Sequence, residues 1–397
     1  MNNCVIFLKP GKEESLLRFH PWIFSGAIAS IKGKPQEGEL VEVFASNNLF
    51  MGIGHYQIGS IAVRILSFTQ RTIDHSFWVE RIQNAYNLRC TLQLARVPDN
   101  NTYRLVYGEG DQLPGLIVDI YGETAVVQAH SVGMHHARRN VAEALKEVLG
   151  DSLQCIYYKS EGTLPFKANL ENENEYLYGI RNGDEPVTLE KGLHFEVDWM
   201  KGQKTGFFID QRDSRILLEQ YADNRNVLNM FCYTGGFSVY AMRGKAKIIH
   251  SVDSSAKAIS LTEKNIKLNF PGDTRHQAFA EDAFSFLEKM EEGQYDLIVL
   301  DPPAFAKHKN VLRNALQGYR RLNAVAFDKI KSGGIVFTFS CSQVVSKNDF
   351  RLAIFSAAAQ VGRHVCILHQ LTQPADHPVN IYHPEGEYLK GLVLYVE

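Results

Sequence analysis

Two short runs in this sequence combine residue types that can do chemistry. One is Thr338-Phe-Ser-Cys341-Ser342, a thiol flanked by hydroxyls at the end of an apolar stretch. The other is Asp301-Pro302-Pro303-Ala304-Phe305, which also closes an apolar stretch. A cysteine held at the carboxyl end of a strand is a candidate nucleophile, although a cysteine without other support reads as a small buried hydrophobe. Successive prolines lock φ and remove two backbone donors. Their carbonyls are then free to accept from a planar amine, while Phe305 offers a ring face for stacking.

A third run, Asn229-Met-Phe231-Cys-Tyr233-Thr234-Gly235-Gly-Phe237-Ser238, reads as a strand passing through a glycine turn into a helix. Glycine there lets backbone approach a bound molecule without a Cβ in the way. The dinucleotide fingerprint G-x-G-x-x-G is absent, and no Gly-Lys pair is followed by Ser or Thr as a phosphate loop requires. A pyrophosphate-bearing cofactor is therefore disfavoured. Asp253 follows the glycines by about 20 residues, the place where a carboxylate accepts the hydroxyl hydrogens of a ribose. Asp282, in Ala-Glu-Asp-Ala, can take an adenine amine or simply cap a helix. A nucleoside cofactor without pyrophosphate is the reading that results.

The elements that must hold these groups follow from periodicity. After about Pro186 the runs Val227 to Met230, Ile248 to Val252, His276 to Ala280, Leu297 to Leu300 and Ile335 to Phe339 alternate with helix-length segments such as Ser255 to Asn269 and Asp282 to Met290. That alternation predicts an α/β, doubly wound parallel sheet. Ligands of such sheets bind beyond the carboxyl ends of the strands. From Cys4 to Phe68, short alternating runs cut by Gly33, Pro35, Gly38, Gly52, Gly54 and Gly59 predict a small β-barrel. Asp74 to Leu94 changes to helical spacing. Between Tyr103 and Gly179 three strand-like runs and the amphipathic helix His135 to Leu149 predict an α+β middle domain, with the Glu171 to Glu175 stretch as a solvated loop. The expected domains are 1–70, 71–185 and 186–397.

Length and composition agree with that division. At about 150 residues per domain, 397 residues make two or three. With 45% hydrophobic and 22% charged residues the chain can bury a core, and whole-chain disorder is excluded. Six cysteines without a Cys-x-x-Cys form neither a disulfide framework nor a zinc cluster, so no metal is expected. The run Cys4 to Leu8 is too short for a signal peptide, and no apolar run reaches membrane-spanning length. A cytoplasmic protein without a membrane partner is expected. The net charge of −2 hides an asymmetry: between Pro302 and Ile330, six basic residues (Lys307, Lys309, Arg313, Arg320, Arg321, Lys329) face Asp328 alone. Such a run suits phosphate contacts, or is a solvated helix face. Lys9, Lys12, Arg18 and His20-Pro-Trp22 mix cations with aromatics as single-strand readers do, though Trp22 also suits a core.

The run YTGGFSVYA, the aspartates 253 and 282, DPPAFAK and TFSCS together resemble class I S-adenosylmethionine-dependent methyltransferases. More narrowly, they resemble the 23S ribosomal RNA (cytosine-5)-methyltransferases of the RlmI type. KTGFFIDQR (Lys204 to Arg212), EGDQLPGLIVDIYG (Glu109 to Gly122) and HPEGEYLKG (His383 to Gly391) extend the likeness over nearly the whole chain, the barrel resembling a PUA RNA-binding domain. The resemblance implies a Rossmann-like catalytic domain that takes S-adenosyl-L-methionine along Phe231, Tyr233, Thr234, Gly235 and Phe237. Asp253 would meet its ribose, Asp282 its adenine and Asp301 its amino group. Lys204 to Arg212 would form a hairpin whose Phe207, Gln211 and Arg212 close over the methionine end.

On the same resemblance Cys341 would attack carbon 6 of a cytosine. Carbon 5 is a poor nucleophile until a soft anion adds next to it, and a free thiol near pKa 8.5 must be coaxed into that anion. A base then removes the carbon-5 proton; Glu385 and Asp301 are both candidates, and a surface-turn role for Glu385 stands beside the first. Pro302, Pro303 and Phe305 would hold the base, and Lys307, Arg313 and Arg320 the phosphates. The partner would be ribosomal RNA offering an unpaired or extruded base, and a homodimer is compatible with the sequence. Three rivals remain: RNA methylation at a guanine or adenine nitrogen, which needs no thiol; an RNA-binding assembly factor without activity; and a nicotinamide-dependent dehydrogenase, which the missing fingerprint disfavours.

Overall fold

The computed structural model describes residues 4–165, 170, 173–181, 186–306 and 308–397. Lys307 and part of the Glu171 to Glu175 loop lie outside the described residues. The chain divides into two compact units.

The first unit comprises residues 1–192, 197–207 and 375–386. It opens with a six-stranded sheet built from Cys4–Leu8, Trp22–Phe24, Ile28–Lys32, Leu40–Phe44, Phe50–Tyr56 and Ile61–Ser67. Their alternate residues, among them Ile6, Leu8, Val41, Val43, Val63 and Ile65, are buried in one apolar cluster, as period-two patterning requires. Helix His75–Thr91 follows; its cap, Asp74, accepts a hydrogen bond from the Phe77 amide at 3.2 Å. It packs with helix Arg138–Leu149 over a five-stranded sheet that includes Leu116–Tyr121, Thr124–Ala129 and Cys155–Tyr158. The excursion 375–386 is fastened to this layer by the fully buried Arg89. That guanidinium grips Asp111 at 2.5 and 2.8 Å and donates to the Asp376 carbonyl at 2.8 Å.

The second unit comprises residues 193–196, 208–374 and 387–397. Its seven strands are β1 (Asn226–Met230), β2 (Ile248–Asp253), β3 (His276–Ala280), β4 (Leu297–Leu300), β5 (Gly334–Ser340), β6 (Val365–Leu371) and β7 (Lys390–Val396). They lie in the order β3-β2-β1-β4-β5-β7-β6. The first five are parallel and β7 runs antiparallel between β5 and β6. Leu297–Leu300 and Gly334–Ser340 are buried at every position, which is why they read as unbroken apolar runs rather than alternating ones. The helices are α1 (Arg212–Tyr221), α2 (Gly236–Arg243), α3 (Ala256–Asn269), α4 (Ala283–Lys289), α5 (Leu312–Lys329) and α6 (Lys347–Val361). One expectation needs correcting. Residues 204–212 form no hairpin: a turn and one tight helical turn lead straight into α1, and the nearby strands are Val187–Glu190 and Leu193–Glu196 instead. Periodicity also gave no sign that the sheet continues past β5 through β6 and β7.

Candidate active site

Order β3-β2-β1-β4 changes direction at β1, and in such sheets ligands bind beyond the carboxyl ends of the strands at that point, here those of β1 and β4. The turn after β1 is wound tightly. Phe231, Tyr233 and Gly235 have φ of 58°, 47° and 77°, three left-handed residues in five positions, two of them bulky. Non-glycine residues pay for that conformation, and such outliers concentrate where a loop clamps a ligand. Neighbours hold it: the Tyr233 amide donates to Asp253 at 3.0 Å, Thr262 Oγ1 donates to the Tyr233 carbonyl at 2.9 Å, and Asn265 Nδ2 donates to the Thr234 carbonyl at 2.9 Å. Gly235 has no room to change. A Cβ there would stand 2.6 Å from Thr262 Cγ2. Gly235→Ala should therefore lower stability by about 1–3 kcal/mol, read as a fall in thermal midpoint; an unchanged midpoint would show that the turn is not strained at this position.

Asp253 closes β2, half-buried, its second oxygen accepting from the Ser255 amide at 2.9 Å. Asp282 is exposed and caps α4 by accepting from the Ser285 amide at 3.0 Å, so the capping alternative is realised. Asp301, at the end of β4, accepts from Gln211 Nε2 at 3.0 Å. Gln211 itself is buried, and its Oε1 has no hydrogen-bond partner among the described residues. Arg212 is buried at the start of α1 and Phe237 is buried in α2, while Phe207 is buried in the first unit.

Cys341 lies one residue past β5, half-buried. Just before it, Ser340 donates to Tyr319 Oη at 2.9 Å, and just after it Ser342 donates to the Ala306 carbonyl at 2.5 Å, so the strand end is pinned on both sides. Burial pushes the Tyr319 phenol up to about 12, with the charges of Cys341 and Asp301 acting the same way, so it stays neutral. Phe305 packs its ring against Tyr319, centroids 4.7 Å apart. Pro302 is buried and Pro303 exposed. Cys232, by contrast, is buried beside Thr262, and burial pushes its thiol up to about 12, which suits packing and not attack.

Of the two base candidates, Asp301 belongs to the second unit with Cys341. Glu385 belongs to the first, where its carboxylate lies 3.5 Å from His20 Nε2 and 3.7 Å from His383 Nε2. Trp22 is committed too: its indole N–H donates to Glu109 at 2.7 Å. On α5, Arg313 and Arg320 are exposed and have no ion pair among the described residues. Arg321 pairs with Glu288 at 3.0 Å, and Lys329 donates to the carbonyls of Glu288 and Met290.

Residues 169–382 match the model of an S-adenosylmethionine-dependent methyltransferase family, and residues 6–68 that of a PUA-like domain. "Ribosomal RNA large subunit methyltransferase I" of Tolumonas auensis is 40% identical over 397 residues, covering 99% of each chain. The chain belongs to that family. The Escherichia coli protein of the same name is 36% identical, covering 98% of this chain and 99% of its own. A Streptococcus mutans chain assigned as an S-adenosylmethionine-dependent methyltransferase superposes with a TM-score of 0.84 at 21% identity, covering 99% of this chain and 100% of its own. Another structure, an assigned methyltransferase solved with S-adenosylhomocysteine, gives 0.84 at 22% identity over the full length of both chains. No described helix is long and apolar enough to cross a membrane.

The residues fit the family's cofactor. Asp253, half-buried at the end of β2, offers carboxylate oxygens that could accept from ribose hydroxyls, and the orphaned Oε1 of Gln211, whose Nε2 donates to Asp301, is an acceptor suited to the ammonium of a methionine moiety. Sequence reasoning passed over Tyr319 and Lys390. Tyr319 looks like one more aromatic on an amphipathic helix. Lys390 left a faint trace, a single cation opening the otherwise apolar run Gly391 to Val396.

Proposed function

We propose that this protein methylates carbon 5 of a cytosine in large-subunit ribosomal RNA, with S-adenosyl-L-methionine as cofactor and Cys341 as nucleophile. The observation that carries the reading is a half-buried thiol pinned at the end of β5, next in the sheet to the Asp301-Pro302-Pro303 end of β4. Three features support its parts. Asp253, the strained turn from Phe231 to Gly235 and Gln211 suit the cofactor. The Pro302 and Pro303 carbonyls and the Phe305 ring suit the base. Arg313 and Arg320, seven residues apart on α5 and so on one helix face, suit phosphates. Lys307 joins the last group by its place in the sequence, and the domains 1–70, 71–185 and 186–397 remain our division of the chain.

The Cys341 thiolate adds to carbon 6 of the cytosine, forming a C–S bond and pushing the ring electrons onto carbon 5. When bound, the cofactor supplies an electrophilic methyl group on a sulfonium. A base, for which Asp301 in the same unit and Glu385 are the candidates, then takes the carbon-5 proton; the electron pair left behind re-forms the ring double bond and expels the thiolate. Attack at carbon 6 needs a base out of its stack, so we read the target as an unpaired or extruded nucleotide. The supporting test is nucleoside mass spectrometry of ribosomal RNA from cells lacking the gene: loss of one 5-methylcytosine is expected, and an unchanged 5-methylcytosine content would overturn the reading.

The phosphate contacts make a separate prediction. Replacing Arg313 and Arg320 together by glutamine should weaken RNA binding and reduce the slope of log K against log salt by about 1.4, two contacts at about 0.7 each for single strands. A slope unchanged within error would remove α5 from the RNA-binding surface.

A further inference from the structure

We propose that Lys390 is a positioning residue whose buried ammonium group holds Cys341 in its thiolate form and fixes the backbone that follows it. The inference deepens the nucleophile reading above and rests on it. Lys390 opens β7, and the antiparallel register sets it opposite Ser340, the residue before Cys341. The strand carries it into the interior, where only 7% of its surface is exposed. From there Nζ donates to the Ser342 carbonyl at 2.5 Å, so the lysine grips the residue after the cysteine. Ser340, Cys341 and Ser342 are thus braced from β7 as well as from Tyr319.

A buried ammonium requires a compensating anion. Among the described residues Lys390 has no carboxylate within ion-pair distance. The nearest acid of its own segment, Glu387, is bonded to the exposed Lys347 at 2.5 Å. The titratable groups that act on Lys390 are Cys341 first, then Glu387, both favouring the ammonium, and Lys347, which opposes it. Burial pushes Lys390 down to about 8 in spite of these. The interaction with Cys341 is reciprocal: whatever a thiolate adds to the stability of the ammonium, the ammonium adds to that of the thiolate. Lysine suits this task because its head is a compact point charge whose remaining donors can turn toward the sulfur.

The test reads the thiol directly and needs no RNA. The full-length protein is alkylated with iodoacetamide across a pH series, and modification of Cys341 is followed on its own peptide by mass spectrometry. In the wild type the midpoint should lie below the ordinary thiol value of about 8.5. Lys390→Met should raise it by a pH unit or more and slow alkylation at pH 7 about tenfold, whereas Lys390→Arg, which keeps a cation, should restore much of the shift. The pH limb of kcat/KM that reports the thiol should move in parallel. The same labelling of Cys341→Ala with acetic anhydride covers the case in which Lys390→Met does not fold: removing the thiolate should move the reactivity midpoint of Lys390 to lower pH. A wild-type midpoint at or above 8.5, or Lys390 reactivity indifferent to Cys341→Ala, overturns the proposal. Either result leaves the methylation reading intact, because that reading is tested by 5-methylcytosine formation, in cells lacking the gene and by Cys341→Ala, and not by the titration of the thiol.

Discussion

Cys341→Ala is expected to lower formation of 5-methylcytosine by at least about a thousandfold while leaving cofactor affinity within about twofold. The size follows from what the thiolate does. Without addition at carbon 6, carbon 5 keeps its aromatic electron distribution, and among the described residues no other half-buried cysteine lies at the carboxyl end of a strand of this sheet to replace the sulfur. Affinity should survive because the turn from Phe231 to Gly235, proposed for the cofactor, is braced by Asp253, Thr262 and Asn265, which the substitution leaves in place. Calorimetric titration and nucleoside analysis of the same preparation separate the two effects. A second measurement isolates the covalent step: with RNA carrying 5-fluorocytosine the base finds no carbon-5 proton to remove, so wild type should accumulate an adduct stable to denaturant and Cys341→Ala should not. Methylation by the alanine variant at near wild-type rate would end the nucleophile assignment and favour chemistry at a base nitrogen.

The second large effect is expected at Asp253. Replacing it by alanine should weaken cofactor binding about 10- to 100-fold, since a hydrogen bond to a charged acceptor is worth about 1.5–3 kcal/mol and a tenfold change is about 1.4 kcal/mol. Two causes add. The ribose loses its acceptor, and the left-handed Tyr233 loses the brace that its amide now makes to the carboxylate at 3.0 Å. Asp253→Asn separates them: an amide oxygen can still brace the turn, so its stability should stay near that of the wild type while its affinity falls. A dissociation constant within twofold of the wild type in both variants would place the ribose elsewhere.

How much of this was legible beforehand depends on the range of the forces involved. Among the first five strands of the catalytic sheet, β4 and β5 stood out because a parallel strand covered on both faces is apolar along its length, as Leu297–Leu300 is, and β1 to β3 because they alternate with helix-length segments. The caps of α3 and α4 were equally local, Ser255 and Asp282 each accepting from an amide three residues on. Asp253, Asp301 and Cys341 could be picked out because each ends such a strand. β6 and β7 escaped because their pairing is remote. β7 inserts between β5 and β6 against the direction of the sheet, an arrangement that no local period announces. The expected hairpin at Lys204 to Arg212 failed for the opposite reason: that run contains its own helix start, and α1 begins within it at Arg212.

Patterning and residue type along the chain were enough for the fold class, the glycine turn, the acidic strand ends and the thiol, because each is set by neighbours a few residues away. The state of that thiol is not. Lys390 lies 49 positions from Cys341 in the chain, and on its own a lysine reads as a solvated surface charge. Register between β5 and β7 brings it into the interior beside the nucleophile, where low polarity makes one buried charge matter more than all the exposed ones.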